Sequence, residues 1–146
     1  MDAKKLLHTG FTVTDLDRSV TFYRDVVGMT QTAAFEGHND WFDRLTNNQG
    51  ADLKVAHLRL GEWELQLIEY RAGGTGDAAP IAHNRTGSPH LCFLVDDVDA
   101  KFAELQARGD VIITSDVTDL VAGARSFYVT DPDRMPVEFV QISRKH

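Results

Sequence analysis

A single cysteine in 146 residues excludes an internal disulfide, so packing and hydrogen bonds must hold the fold. Cys92 falls in an expected strand and is read as a small core residue. Long apolar runs are also missing. None approaches the roughly 20 residues of a membrane span, and the opening Met-Asp-Ala-Lys-Lys-Leu-Leu-His lacks the apolar segment of a secretion signal. A cytoplasmic protein is expected. Basic residues are in deficit, 15 against 22 acidic ones, and a net charge of −7 argues against general affinity for nucleic acid or an anionic membrane. It leaves room for a local basic patch facing an anionic substrate. The rest, 42% hydrophobic and 25% charged, suits one globular domain with a real core.

What the chain does contain is a repeat. Leu7-His-Thr-Gly-Phe-Thr-Val-Thr-Asp-Leu-Asp-Arg18 is written again in Ser88-Pro-His-Leu-Cys-Phe-Leu-Val-Asp-Asp-Val-Asp-Ala100: a His, an alternating strand, then Asp-x-Asp opening a helix. The offset from His8 to His90 recurs from Asp15 to Asp97 and from Asp17 to Asp99. Leu65-Gln-Leu-Ile-Glu69 matches Val137-Glu-Phe-Val-Gln141 at a somewhat shorter offset. Repeats of this kind determine the fold reading. The expectation is one domain, 1–146, made of two modules, about 5–70 and 88–143, joined by a Gly-rich connector over 71–87. Each module reads β-α-β-β-β. Strands are expected over 6–14, 29–35, 53–60 and 63–70, and again over 89–95, 111–115, 125–130 and 136–142. Helices are expected over 16–27 and 97–108, capped by the aspartates and stopped by Gly28 and Gly109. Residues 36–52 read as a loop with one helical turn.

Strand alternation then places side chains. If Leu91, Phe93, Val137 and Phe139 pack on a helix, His90, Cys92 and Glu138 face the other way. In the first module Leu65 and Leu67 pack, so Gln66 and Glu64 point with His8. Two modules related by a pseudo-twofold would project His8, Gln66, His90 and Glu138 to one concave side. Two imidazoles, a carboxylate and an amide oxygen suit a divalent ion such as Mn, Fe, Co, Ni or Zn in an open site, not a thiolate site.

On these residues the chain resembles the vicinal oxygen chelate superfamily, which includes glyoxalase I, methylmalonyl-CoA epimerase, fosfomycin-resistance enzymes, extradiol dioxygenases and bleomycin-resistance proteins. The motifs are Leu-Leu-His8, Asp15-Leu-Asp-Arg-Ser-Val-x-Phe-Tyr23 through Gly28, Gly61-x-x-x-Leu-Gln66-Leu-Ile-Glu-Tyr70, His90 through Asp99, and Asp131-Pro-Asp133 leading to Val-Glu138-Phe. The resemblance implies an α+β fold of paired β-α-β-β-β modules forming a cupped mixed sheet around a metal held at His8, Gln66, His90 and Glu138. A homodimer is expected, with the site formed either within one chain or across the dimer. Gln66 stands where glyoxalase I carries Glu, and so resembles methylmalonyl-CoA epimerase. The turn Asp131-Pro-Asp-Arg-Met-Pro136 departs from the usual Asp-Pro-Asp-Gly.

The implied activity is that of an isomerase or lyase that removes a proton beside a chelated carbonyl. Glu138, Glu64 and His57 are candidate bases. Trp41 and Phe42 are candidate pocket-lid residues, with core packing beneath a loop as the plain alternative. Other classes stay open: an Fe(II) dioxygenase or Mn-dependent antibiotic-modifying enzyme using only His8, His90 and Glu138, and a non-catalytic drug-binding protein. His38 and His83 are read as solvated loop residues. Asp96, Asp97 and Asp99 look like an acidic metal run, but helix capping accounts for them.

Overall fold

Asp15 and Asp97 each close a strand and open a helix. Both backbones are extended, and the carboxylates accept from Arg18 N and Ala100 N, each at 2.9 Å. In this computed structural model, which describes residues 2–75 and 81–143, the capped helices are α1 (Leu16–Phe22) and α3 (Val98–Arg108). Helix α1 widens into a π turn over Tyr23–Val27 and stops at Gly28, whose φ of 89° is a left-handed conformation open to glycine. A second cap repeats as well. Glu69 accepts from Leu16 N at 2.7 Å, and its counterpart Gln141 accepts from Val98 N at 3.1 Å. Each helix start is thereby tied to the last strand of its own module.

The chain divides into two compact units, Met1–Ala78 and Ala79–His146. The first holds β1 (Thr9–Val13), β2 (Thr30–His38), α2 (Asp40–Thr46), β3 (Asp52–Leu60) and β4 (Trp63–Ala72), with sheet order β1-β4-β3-β2. The second holds β5 (Leu91–Leu94), β6 (Ile112–Ile113), β7 (Thr118–Asp119), β8 (Ala124–Thr130) and β9 (Pro136–Ile142), with order β5-β9-β8-β6 and β7 beside β8. In both, the first strand runs parallel to the last and the other pairings are antiparallel. The registers match: Gly10 faces Gln66, and Cys92 faces Glu138. The fold is α+β with one mixed sheet per unit.

The helix-facing side of each sheet is its core. Leu58, Leu65 and Leu67 are fully buried in the first unit, as are Phe127, Val137 and Phe139 (1% exposed) in the second. Because side chains alternate along a strand, burying Leu65 and Leu67 turns Gln66 to the opposite face, and burying Val137 and Phe139 does the same for Glu138.

Several boundaries differ from the sequence reading. The stretch 36–52 is largely regular: β2 runs on to His38, and α2 follows immediately. Phe42 on α2 joins Ala51, Leu53 and Val55 in a second cluster on the open face of β3 and β4, a packing that periodicity alone does not reveal. Strand β1 starts at Thr9, leaving Leu7 exposed rather than on the greasy face. Strand β7 and the 3₁₀ turn Val121–Gly123 were not expected; Arg125 bonds Asp119 across β7 and β8 at 2.9 Å and also pairs with Asp99 on α3. Part of the 71–87 connector, residues 76–80, lies outside the described residues.

Candidate functional site

In the first unit, β3 and β4 meet in a tight hairpin that sets His57 opposite Gln66 and Arg59 opposite Glu64. These side chains share the sheet face of His8, which directly precedes β1. The His8 and His57 rings stand edge-on with centroids 6.2 Å apart. Glu64 Oε1 lies 2.8 Å from His57 Nδ1, and Arg59 reaches the other Glu64 oxygen at 3.3 Å. A carboxylate only accepts, so a neutral His57 carries its proton on Nδ1 and presents Nε2 as an acceptor. Gln66 Nε2 lies 3.1 Å from that Nε2 and donates to it. The Gln66 carbonyl oxygen is thereby turned away from His57, toward Gly10 on β1. Which way an amide points is assigned from its network, and with a neutral His57 the Glu64–His57 pair sets the assignment.

Both ring nitrogens of His57 are engaged. Glu64 is held below its ordinary carboxylate pKa, first by the hydrogen bond from His57 and then by Arg59, against an opposing desolvation effect. Glu64, His57 and Gln66 thus form one hydrogen-bonded chain across the β3–β4 hairpin.

In the second unit, His90 directly precedes β5, and its Nε2 lies 3.6 Å from Glu138 Oε2. Tyr128 on β8 faces Glu138 in the register and donates its hydroxyl to the same oxygen at 2.9 Å. The Tyr128 ring packs edge-on against both His90 (5.9 Å) and His83 (4.6 Å). Burial, and then the bond to Glu138, push the Tyr128 phenol up to about 12, so it stays a donor at neutral pH. The Glu138 side chain is only 12% exposed while His90 is 48% exposed, so the pair sits at a surface with its carboxylate inward.

Each unit thus carries one imidazole just before its first strand and one side-chain oxygen on its last strand. Ligands about 2.1 Å from one cation lie roughly 3.0 to 3.4 Å apart in octahedral or tetrahedral geometry. The 3.6 Å between His90 and Glu138 is near that spacing and loose for a direct hydrogen bond. The donors present therefore fit a divalent cation. Among the described residues, no three His, Cys, Asp or Glu side chains gather as a metal group within either unit.

Three sequence readings need correction. Cys92 is exposed, not a core residue, and lies beside Glu138. Partial burial, followed by the Glu138 charge and hydrogen bond, raises its thiol to about 11. His83 packs on Tyr128 rather than standing in solvent. His38 ends β2 with Nδ1 2.9 Å from Ala51 O and Nε2 3.1 Å from Asp40. The residue missed outright is Tyr128; its place opposite Glu138 depends on the β8–β9 register. Of the candidate lid residues, Phe42 is buried in the second cluster, whereas Trp41 is 51% exposed on the outer side of α2.

The raised thiol makes a prediction. Near pH 8 a pKa of about 11 instead of 9.0 leaves roughly a hundredfold less thiolate. The greater nucleophilicity of a more basic thiolate recovers about tenfold of that. Cys92 of the folded, metal-stripped protein should therefore react about tenfold more slowly with an aromatic disulfide than in the urea-unfolded chain. Glu138→Gln should narrow the gap. Stopped-flow absorbance at pH 8 reads both.

A family model for the Glyoxalase/Bleomycin resistance protein/Dioxygenase superfamily matches residues 5–139. The chain is 34% identical over 143 residues to a 2-epi-5-epi-valiolone epimerase from Actinomyces sp., covering 92% of this chain and 78% of the epimerase. It is 28% identical over 158 residues to a probable lactoylglutathione lyase from Vibrio cholerae, covering 100% of this chain and 96% of the lyase. A solved glyoxalase family protein from Bacillus cereus superposes with a TM-score of 0.84 at 18% identity, over 98% of this chain and 99% of that one. By fold, repeat and family match, this chain belongs to the Glyoxalase/Bleomycin resistance protein/Dioxygenase superfamily.

Proposed function

We propose that the protein is a divalent-metal-dependent isomerase or lyase acting next to a carbonyl, with His8, Gln66, His90 and Glu138 as the metal-holding residues. The observation that carries this reading is the matched half-site: one His and one oxygen donor at equivalent positions of two units with the same topology. The protein is a homodimer in this reading. The names of the epimerase and lyase relatives support the same reaction class.

A cation in such a site supplies Lewis-acid polarisation of a chelated carbonyl. This chain's residues do the rest. Gln66 offers its oxygen as a neutral ligand, because the Glu64–His57 pair holds its amide nitrogen. A neutral donor in place of a carboxylate leaves the site one unit more positive, which favours charge developing on the substrate oxygen. With Glu64 and His57 committed to each other, Glu138 is the carboxylate left to accept the α-proton. The Tyr128 hydroxyl donates to one Glu138 oxygen and fixes its plane.

The test is proton exchange in D₂O followed by NMR. The substrates are a 2-methyl-branched CoA thioester, a glutathione hemithioacetal and a cyclic polyol ketone, each with the Co-, Ni-, Mn- or Zn-loaded protein. Metal-dependent deuterium incorporation next to a carbonyl in at least one of them is expected. No exchange in any, together with oxygen uptake on catechols by the Fe(II)-loaded protein, refutes the reading and makes the chain a dioxygenase.

A further inference from the structure

The second unit carries a cavity of about 340 Å³ lined by Ile81, His83, Ile112, Thr130, Arg134 and Pro136. That volume lies within the range of small-ligand pockets. Its floor is the sheet face that bears Tyr128 and Glu138. Thr130 pairs with Pro136 one alternation beyond the Tyr128–Glu138 pair, about 7 Å along the strands. His83 joins the two regions, since it lines the cavity and packs on Tyr128.

Two polar side chains of this largely apolar cavity are uncommitted. The Arg134 side chain has no ion pair among the described residues. The His83 ring nitrogens have no hydrogen bond among them either. Arg134 is also held at φ 65°, a left-handed conformation that costs a non-glycine residue about 1 kcal/mol and glycine almost nothing. Asp131 spends its Oδ1 on Asp133 N and Met135 N, each at 2.9 Å, within the turn.

We propose that this cavity seats a small organic oxyanion, with Arg134 gripping a terminal carboxylate or phosphate and the apolar walls holding the carbon segment. Guanidinium recognises both anions through paired N–H donors. This deepens the functional reading by giving the substrate class: a carbonyl compound with an anionic tail on the β8–β9 side of Glu138. The grip on the tail is independent of the metal.

The probes are benzoate and phenyl phosphate, with benzyl alcohol as the neutral control. Each is titrated into the protein kept in EDTA, with amide shifts followed by NMR. Saturable shifts at His83, Ile112 and Thr130 are expected for the anions, with at least tenfold tighter binding than the alcohol. Arg134→Gly relieves the left-handed strain, so it should fold at least as stably as the parent and lose that preference. The tighter of the two anions identifies the tail. Equal binding of anion and alcohol, undiminished anion affinity in Arg134→Gly, or no saturable shift from either anion overturns the proposal. Because EDTA is present throughout, a failed metal site leaves this result standing, and a failed pocket leaves the metal reading standing.

Discussion

Glu138→Gln is expected to lower divalent-metal affinity at least about a hundredfold and to remove most of the proton exchange, by some 10² to 10⁴. Both losses have one origin. The substitution replaces a charged donor with a neutral one in a half-site that has a single carboxylate, and it removes the proposed proton acceptor. The effect on folding should be small. Gln is isosteric, the Tyr128 hydroxyl can still donate to the amide oxygen, and Glu138 lies on the open face rather than in the Phe127–Phe139 core. A melting temperature within a few degrees of the parent, combined with loss of metal, would separate a ligand from a structural residue. Unchanged metal affinity in a folded Glu138→Gln would remove Glu138 from the metal site.

The second large effect is expected from a residue that need not touch the metal. Glu64→Gln abolishes the carboxylate that fixes the His57 tautomer. An amide can accept from or donate to Nδ1, so His57 is then free to carry its proton on Nε2. It would donate to Gln66, and the Gln66 amide would turn its oxygen inward. Residues behind the ligands of metal sites typically contribute ten- to hundredfold in affinity, and a loss of that size is expected here. The spectroscopic readout is the ¹⁵N shift of the His57 ring. The parent should show the Nδ1–H tautomer, and Glu64→Gln should show the Nε2–H form or a mixture. A purely structural Glu64 would weaken stability without moving the tautomer, and an unchanged ring spectrum would contradict this account.

The sheet faces that carry Gln66 and Glu138 were legible in the sequence because a strand has a period of two. Once Leu65 and Leu67 are assigned to the core, Gln66 has one direction open to it, and the repeat applies the same rule to Val137, Glu138 and Phe139. That rule also conflicts with a core role for Cys92, since the alternation that exposes His90 exposes Cys92 with it. The place of His57 was recoverable too: the hairpin at Gly61-Glu62 fixes the register that brings His57 opposite Gln66. Tyr128 was a different matter. Its position depends on how the turn through Asp131 and Arg134 sets β8 against β9, and neither composition nor periodicity specifies that register. Helix α2 was missed for a similar reason. It is only seven residues long, and Phe42 is held by tertiary contacts with Leu53 and Val55 rather than by helical propensity.

The central claim is that the two matched half-sites hold one divalent cation. Isothermal titration of the chelator-stripped chain with Co²⁺, Ni²⁺, Mn²⁺ and Zn²⁺, repeated on His8→Ala and His90→Ala, tests it most directly. The account predicts one cation per chain, with at least about tenfold weaker binding in each variant although the two residues belong to different units. No binding of any of these ions by the parent, or parent-like affinity in both variants, would contradict it.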